Sequence, residues 1–102
     1  MKFKKFNFKK VKSTNNTAIR LIRRGIDRGV VSADVQTKGK GQRGNKWISK
    51  KGNLFISIFF KVNSKLSLKK ITSINLLILK KIISSQIRGK IYIKLPNDIL
   101  IH

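Results

Sequence analysis

The chain contains no cysteine, no glutamate, a single proline and no long apolar run. The absence of cysteine excludes disulfide bonds and thiolate metal sites, and it is compatible with an intracellular, cytoplasmic protein. No apolar stretch approaches the roughly 20 residues that a membrane-spanning helix requires. The charged N-terminal residues lack the continuous apolar core of a signal peptide. We therefore expect no membrane partner.

Acidic residues are also scarce, because only Asp27, Asp34 and Asp98 oppose 25 lysines and arginines, for a formal net charge of +22. Such an excess is typical of proteins that bind polyanions, so one interpretation is a small basic nucleic-acid-binding protein of ribosomal type. The cations are nevertheless spread over every segment, and lysine, isoleucine and asparagine are enriched together. We favour compositional drift as the explanation and expect no specific nucleic-acid partner.

Hydrophobic residues make up 40% of the 102 residues, which is enough for the core of one modest domain. Strands are predicted at residues 2–11, 30–33, 53–60, 90–95 and 99–101, and helices at 17–24 and 67–86. The 53–60 segment is apolar on both faces and should be the central strand. This order predicts an α+β fold with a mixed sheet. The last strand has nothing after it to pair with, so residues 1–102 are expected to form part of a longer domain.

Residues 36–47 combine three glycines, four cations and the only tryptophan. Backbone amides near closely spaced glycines can approach an anion, and lysine and arginine neutralise it, so the run predicts a loop over a phosphate-bearing ligand. Residues 39–44 match G-x-G-x-x-G, but no helical period and no acid at the required distance follow. Asn45 stands where a P-loop needs lysine. The Rossmann and P-loop interpretations are therefore rejected.

Four ordered blocks resemble the catalytic domain of the biotin protein ligases, also called biotin–[acetyl-CoA-carboxylase] ligases. Ser13-Thr14-Asn15 resembles the family's S-T-N at a helix start. Residues 36–47 resemble Q-x-x-G-R-G-R-x-G-R-x-W. Gly52-Asn53-Leu54 with Ser57 resembles G-x-N-L-x-x-S, and residues 94–99 resemble K-W-P-N-D-[IL]. The similarity covers nearly the whole chain.

The resemblance implies a class II aminoacyl-tRNA synthetase-like fold and a two-step reaction. Biotin's carboxylate attacks the α-phosphate of ATP to give biotinyl-adenylate and pyrophosphate, and a lysine of a biotin carboxyl carrier protein then attacks the mixed anhydride. The implied biotin-binding residues are Ser13, Thr14, Asn15, Gln36, Gly39, Lys40, Gly41 and Gln42. The implied ATP- and phosphate-binding residues are Arg43, Lys46, Trp47, Lys94, Asn97 and Asp98. Asp98 is also the implied Mg²⁺ ligand, since hard cations prefer oxygen.

The chain departs from the family pattern at several places. Three positions that are usually arginine hold other residues, namely Lys40, Gln42 and Asn45, and these changes weaken the binding of phosphate. Leu95 replaces a tryptophan. The family's G-[RK]-K-x-x-G-I-L-x-E segment, whose lysine contacts the reacting groups, is expected after Asp98 and is not found. The resemblance therefore implies a truncated ligase of impaired activity, without a DNA-binding domain. The related lipoate ligases are disfavoured because their R-R-x-x-G-G-G and H-D motifs are missing.

Overall fold

The computed structural model describes residues 2–62, 65–95 and 97–101. The chain divides into two compact units, Met1–Lys61 and Val62–His102, which are described separately. Neither helix in the described part of the chain is long and apolar enough to cross a membrane.

The first unit is a four-stranded mixed sheet with one helix. Its elements are β1 (Lys4–Val11), α1 (Thr14–Arg23), β2 (Gly29–Lys40), β3 (Lys46–Ser49) and β4 (Phe55–Phe59). Strand β2 pairs in parallel with β1 and antiparallel with β3 and β4. Its first half lies beside β4 and its second half beside β3, so β2 is the strand that organises the sheet. The mixed sheet predicted from the element order is confirmed.

Helix α1 begins at a serine cap and ends at a glycine. The Ser13 hydroxyl accepts a hydrogen bond from the Asn16 amide at 3.3 Å, as an N-cap does. Gly25 has φ 91°, the left-handed conformation that stops a helix at little cost. Helical spacing in the sequence predicts that Ala18, Leu21 and Ile22 share the inward face. Ala18 is buried and Leu21 packs against the core, but Ile22 is 50% exposed. The buried face turns toward Thr14 and Thr17 instead.

The core of the first unit lies between α1 and one face of the sheet. Val31 is fully buried and clusters with Ala18 and Phe59, and the half-buried Phe6 and Leu21 pack against them. Register explains the cluster, because Val31 pairs with Phe6 of β1 on one side and with Ser57 of β4 on the other. Alternate residues of a strand share a face, so Phe59 joins Val31 on the helix side.

Two predictions about the strands are wrong. The glycine run does not start a loop at Gln36, because β2 continues to Lys40, and the loop is reduced to a short 3-10 turn at Gln42–Gly44 before β3. Trp47 therefore lies on a strand that the sequence did not predict. The segment around Phe55–Phe59 is not central: within the described residues it pairs only with β2, and its burial alternates along the strand. Outward-facing isoleucines made it resemble a strand buried on both faces.

The second unit holds a long helix and a hairpin. Its elements are α2 (Leu68–Gln86), β5 (Ile91–Lys94) and β6 (Asp98–Ile101), close to the predicted bounds. Ser67 caps α2 by accepting from the Lys70 amide at 3.1 Å. The two strands are antiparallel, with Lys94 opposite Asp98, and Leu76 and Ile91 are buried. The sequence predicts a turn at Pro96-Asn97-Asp98 between these strands, and Pro96 lies outside the described residues.

Candidate functional site

The start of α1 and the second half of β2 bring the first two motif blocks together. β1 runs parallel to β2 as far as the pair Val11–Gln36, and the chain then turns directly into α1. The Lys38 amide donates to the Lys12 carbonyl at 2.8 Å, which extends the contact beyond β1. Residues 25 and 26 positions apart in sequence therefore lie side by side. Ser13 and Thr14 are buried there, whereas Asn15 is exposed.

Gln36 connects α1 to β3 through both ends of its side-chain amide. Its Oε1 accepts from the Thr14 backbone amide at 2.7 Å, and its Nε2 donates to the Ser49 hydroxyl at 2.9 Å. Ser49 is buried, and its own hydroxyl donates to the Trp47 carbonyl at 3.2 Å. A glutamine held at both ends of its amide has a fixed orientation, which suits recognition of a neutral polar ligand.

Ser57, a second buried serine, lies on β4 and contacts the Ser13-Thr14-Asn15 block. The Ser57 hydroxyl lies within hydrogen-bonding distance of Thr14 Oγ1, at 2.7 Å, and of Asn15 Oδ1. The Ser57 hydroxyl thus contacts Thr14, 43 positions away in the sequence, and Asn15, 42 positions away. Together with Gln36, Ser57 joins α1 to three strands of the sheet, and no buried side-chain polar atom in the described part of the chain lacks a hydrogen-bond partner.

Gly39 is needed because the β2–β3 pair approaches closely at this point. A Cβ placed on Gly39 would lie 2.5 Å from the Trp47 carbonyl oxygen and 2.5 Å from Ser49 Oγ. It would also lie 3.1 Å from Gln36 Nε2. Such distances are shorter than carbon and oxygen atoms tolerate without displacement. The glycine that the family resemblance assigns to biotin therefore also leaves room for Ser49 and the Gln36 amide.

The basic turn connecting β2 to β3 is closed by two backbone hydrogen bonds. The Gly41 amide donates to the Asn45 carbonyl at 2.7 Å, and the Asn45 amide donates to the Gln42 carbonyl at 3.2 Å. Arg43, at the tip, has φ 58°, which is uncommon for a residue with a side chain. Gln42, Arg43 and Lys46 are exposed, so the turn presents its charge to solvent. Lys40 reaches back to Asn16 Oδ1 at 3.3 Å.

A cavity of about 950 Å³ lies along the β2–β3 hairpin. It is lined by Gln36, Gly39, Lys40, Lys46, Trp47 and Ser49, among other residues of the hairpin. Trp47 is 60% exposed and therefore has an aromatic surface free for contact with a ligand. The cavity is large enough for a small-molecule ligand, and it combines an aromatic wall, fixed polar groups and cations.

The predicted residues Lys94, Asn97 and Asp98 belong to the second unit. They lie at the closed end of the β5–β6 hairpin and are exposed. No group of three or more histidine, cysteine, aspartate or glutamate side chains able to hold a metal occurs among the described residues. A single exposed carboxylate is not a metal site by itself. Such a carboxylate fits only a site in which Mg²⁺ has one protein carboxylate ligand and its other ligands are phosphates and water.

Sequence reasoning missed Ser49 and Asn16 and did not include Ser57 among the site residues. Ser57 stood in a recognised block, but only the structure shows that it contacts Thr14 and Asn15. Ser49 follows the tryptophan by two residues, and alternation along β3 would have placed it on one face had that strand been predicted.

Comparisons with known proteins identify the family and structures of similar fold. The model of the biotin/lipoate A/B protein ligase family matches residues 7–102. A solved biotin acetyl coenzyme A carboxylase synthetase from Helicobacter pylori, with bound biotinylated ATP, is similar over 97% of this chain and 49% of its own, with 22% identity and a TM-score of 0.78. Leishmania major biotin protein ligase with biotinyl-5-AMP matches over 99% and 48%, with 23% identity and a TM-score of 0.68. The same ligase with biotin matches over 94% and 46%, with 25% identity and a TM-score of 0.71.

Proposed function

Because this chain belongs to the biotin/lipoate A/B protein ligase family, we propose that it binds biotin as part of a biotin protein ligase. The reaction would activate biotin with ATP to biotinyl-adenylate and then transfer biotin to a lysine of a carrier protein of a biotin-dependent carboxylase, in the cytoplasm. The chain spans about half the length of the solved relatives that it matches. The activity of the whole enzyme is therefore part of the proposal.

The observation that carries the proposal is the double anchoring of Gln36. The resemblance assigns the biotin contacts to two separate blocks, and hydrogen bonds from Thr14 and to Ser49 hold the second of them beside the first. Neutral donors and acceptors of this kind match a ureido ring, which is polar and uncharged. An ion-binding site would instead place charged side chains at this position.

Each part of the hairpin has a role in the proposed first step. The Gln36 amide, with Ser13, Thr14 and Asn15, would orient biotin so that its carboxylate points toward the basic turn. Gly39 and Gly41 let the backbone approach the ligand, and Lys40 and Gln42 would flank it. Arg43 and Lys46 would stabilise negative charge on the α-phosphate as the carboxylate oxygen attacks and pyrophosphate leaves. Trp47 would pack against the flat adenine ring.

The β5–β6 hairpin supplies the remaining candidates. Lys94 would pair with a phosphate of ATP, and Asp98 and Asn97 would hold Mg²⁺ through oxygen atoms. That ion would neutralise phosphate charge when bound.

The family lysine that contacts both reacting groups follows the P-N-D turn in the family pattern, and no such segment occurs within these 102 residues. Biotin-dependent exchange of pyrophosphate into ATP measures whether residues 1–102 form the adenylate without that segment.

Calorimetric titration of the full chain with biotin tests the proposal. We expect wild type to bind, and Gln36→Ala to bind at least about tenfold more weakly, because about 1.4 kcal/mol is lost with one ligand hydrogen bond. Gln86→Ala removes the same side chain from the exposed end of α2 and should bind as wild type does. Absence of biotin binding by wild type, or equal affinity of Gln36→Ala and wild type, would refute the proposal.

Nucleic-acid binding is the second candidate, because the net charge of +22 favours any polyanion. The two functions differ in salt dependence. Affinity for a nucleic acid falls steeply between about 50 and 200 mM salt because counterions are released, whereas biotin affinity should change little. Titrations at both salt concentrations, with biotin and with an RNA oligonucleotide, separate the two.

A further inference from the structure

The orientation of the Gln36 amide is set by backbone groups at both ends of a chain of hydrogen bonds. At one end the Thr14 N–H can only donate, so the atom that faces it, 2.7 Å away, must be the Gln36 oxygen. At the other end the Trp47 carbonyl can only accept, so the Ser49 hydroxyl donates to it at 3.2 Å. Ser49 Oγ is then left to accept from Gln36 Nε2, at 2.9 Å.

This chain of bonds leaves one hydrogen of Gln36 Nε2 for a ligand. The nitrogen carries two hydrogens, and Ser49 takes one of them. Gln36, Gly39 and Ser49 all line the cavity, so the second hydrogen belongs to an amide at its wall. The absence of a side chain at Gly39 leaves room for the amide, because a Cβ there would lie 3.1 Å from Gln36 Nε2. A ligand would therefore meet a fixed donor here.

We propose that Ser49 is a positioning residue: it fixes the Gln36 amide so that Nε2 offers its second hydrogen to a carbonyl acceptor of the ligand. This rests on the proposed function, in which the acceptor is the ureido carbonyl of biotin. Ser49 is buried and acts through Gln36, so its effect on affinity follows from the amide's orientation. Without the Ser49 hydroxyl, the amide keeps only its bond to Thr14 and rotates more freely.

Solvent exchange of the Gln36 side-chain amide protons, measured by NMR on ¹⁵N-labelled full chain, tests the positioning directly. The exposed amide of Gln86 is an internal reference for unrestrained exchange. In wild type we expect Gln36 to exchange at least about tenfold more slowly than Gln86, and in Ser49→Ala to approach the Gln86 rate. Ser49→Thr keeps the hydroxyl and should restore slow exchange.

The matched control is Ser32→Ala. Ser32 lies on the same strand as Gln36 and donates to Asn7 Oδ1 at 2.6 Å, away from the cavity residues. Loss of the Ser32 hydroxyl should leave the exchange rate of the Gln36 amide protons unchanged. If removing any strand hydroxyl acted only by loosening the structure, Ser32→Ala and Ser49→Ala would both change that rate. Fast Gln36 exchange in wild type, or equal exchange in Ser49→Ala and wild type, overturns the proposal.

Biotin titration of the same variants separates this proposal from the proposed function. We expect Ser49→Ala to lose about tenfold in affinity and Ser49→Thr to retain it. If Ser49→Ala frees the amide but binds biotin as wild type does, the positioning role is wrong and the proposed function stands. If wild type does not bind biotin, the proposed function and the biotin-positioning role both fail, and the exchange data alone decide whether Ser49 holds the amide.

Discussion

Individual residues at the candidate site serve both the fold and the ligand. Gly39 is assigned to biotin by resemblance, yet the absence of its side chain is already required by Ser49 and the Trp47 carbonyl. Thr14 presents its backbone amide to Gln36 and its hydroxyl to Ser57. A substitution at such a position changes stability and binding together, so the two effects must be measured separately.

Gly39→Ala should destabilise the chain by about 1–3 kcal/mol, the usual cost of overpacking. The added methyl group meets a backbone carbonyl, which cannot move without breaking the β2–β3 pair. Chemical denaturation followed by circular dichroism measures this loss. Gly41→Ala is the matched control: its Cβ would be 3.4 Å from the nearest atom and its φ is −95°, so it should be nearly neutral. Equal loss in both variants would contradict this explanation.

Arg43→Gly should raise stability while weakening the binding of phosphate. A side chain at φ 58° costs about 1 kcal/mol that glycine does not incur, and removal of the guanidinium takes away a cation at the tip of the turn. Denaturation and titration with ATP measure the two effects on one variant. Arg43→Lys should keep most of the ATP affinity without the gain in stability. If Arg43→Gly lowers stability, the left-handed backbone is not a source of strain.

The helices show how local signals specify elements in both units. Ser13 and Ser67 each cap a helix by accepting an amide hydrogen from three residues ahead. The helical period of the apolar residues predicted both helices, although α1 begins at Thr14, three residues before the predicted start at Thr17. The strands were less clear, because β3 has only four residues, among them a lysine and a serine.

Ser13→Ala and Ser67→Ala should each cost about 1 kcal/mol, the typical loss of an N-cap. Only Ser13→Ala should also lower biotin affinity, because α1 carries Thr14 at the site whereas α2 belongs to the other unit. Denaturation and calorimetry on the two variants provide matched comparisons of the same chemical change. A loss of biotin affinity in Ser67→Ala would contradict this prediction.

The whole chain is dominated by charge of one sign. Its three aspartates leave 22 cations without an acidic counterpart, and an ion pair between Lys61 and Asp27, at 3.3 Å, is exposed to solvent. Exposed pairs contribute little to stability. Mutual repulsion of the remaining cations therefore opposes folding.

Added salt should raise the melting temperature. Screening shortens the range of repulsion from about 30 Å at 0.01 M to about 10 Å at 0.1 M. For a chain of this size, each kcal/mol gained corresponds to roughly 4–8 °C. Thermal unfolding in sodium chloride at these two concentrations measures the change, with sucrose as an uncharged control. A melting temperature that is constant or falls with salt would show that repulsion is not limiting.

The sequence by itself determined the family, the α+β class and both helices, because caps, periodicity and short motifs depend on residues near one another in the chain. It also identified Gln36, Gly39 and Ser13-Thr14 as a group, through resemblance. It did not reveal that β2 continues through the glycine run, that β4 pairs only with β2 among the described residues, or that Ser49 holds Gln36. These features depend on strand register, which joins residues from 6 positions apart (Lys40 and Lys46) to 30 positions apart (Gly29 and Phe59), and no local pattern specifies which partners meet. The tertiary structure decided that a basic glycine run is a strand, a tight turn and a second strand, with a fixed glutamine amide at the cavity wall.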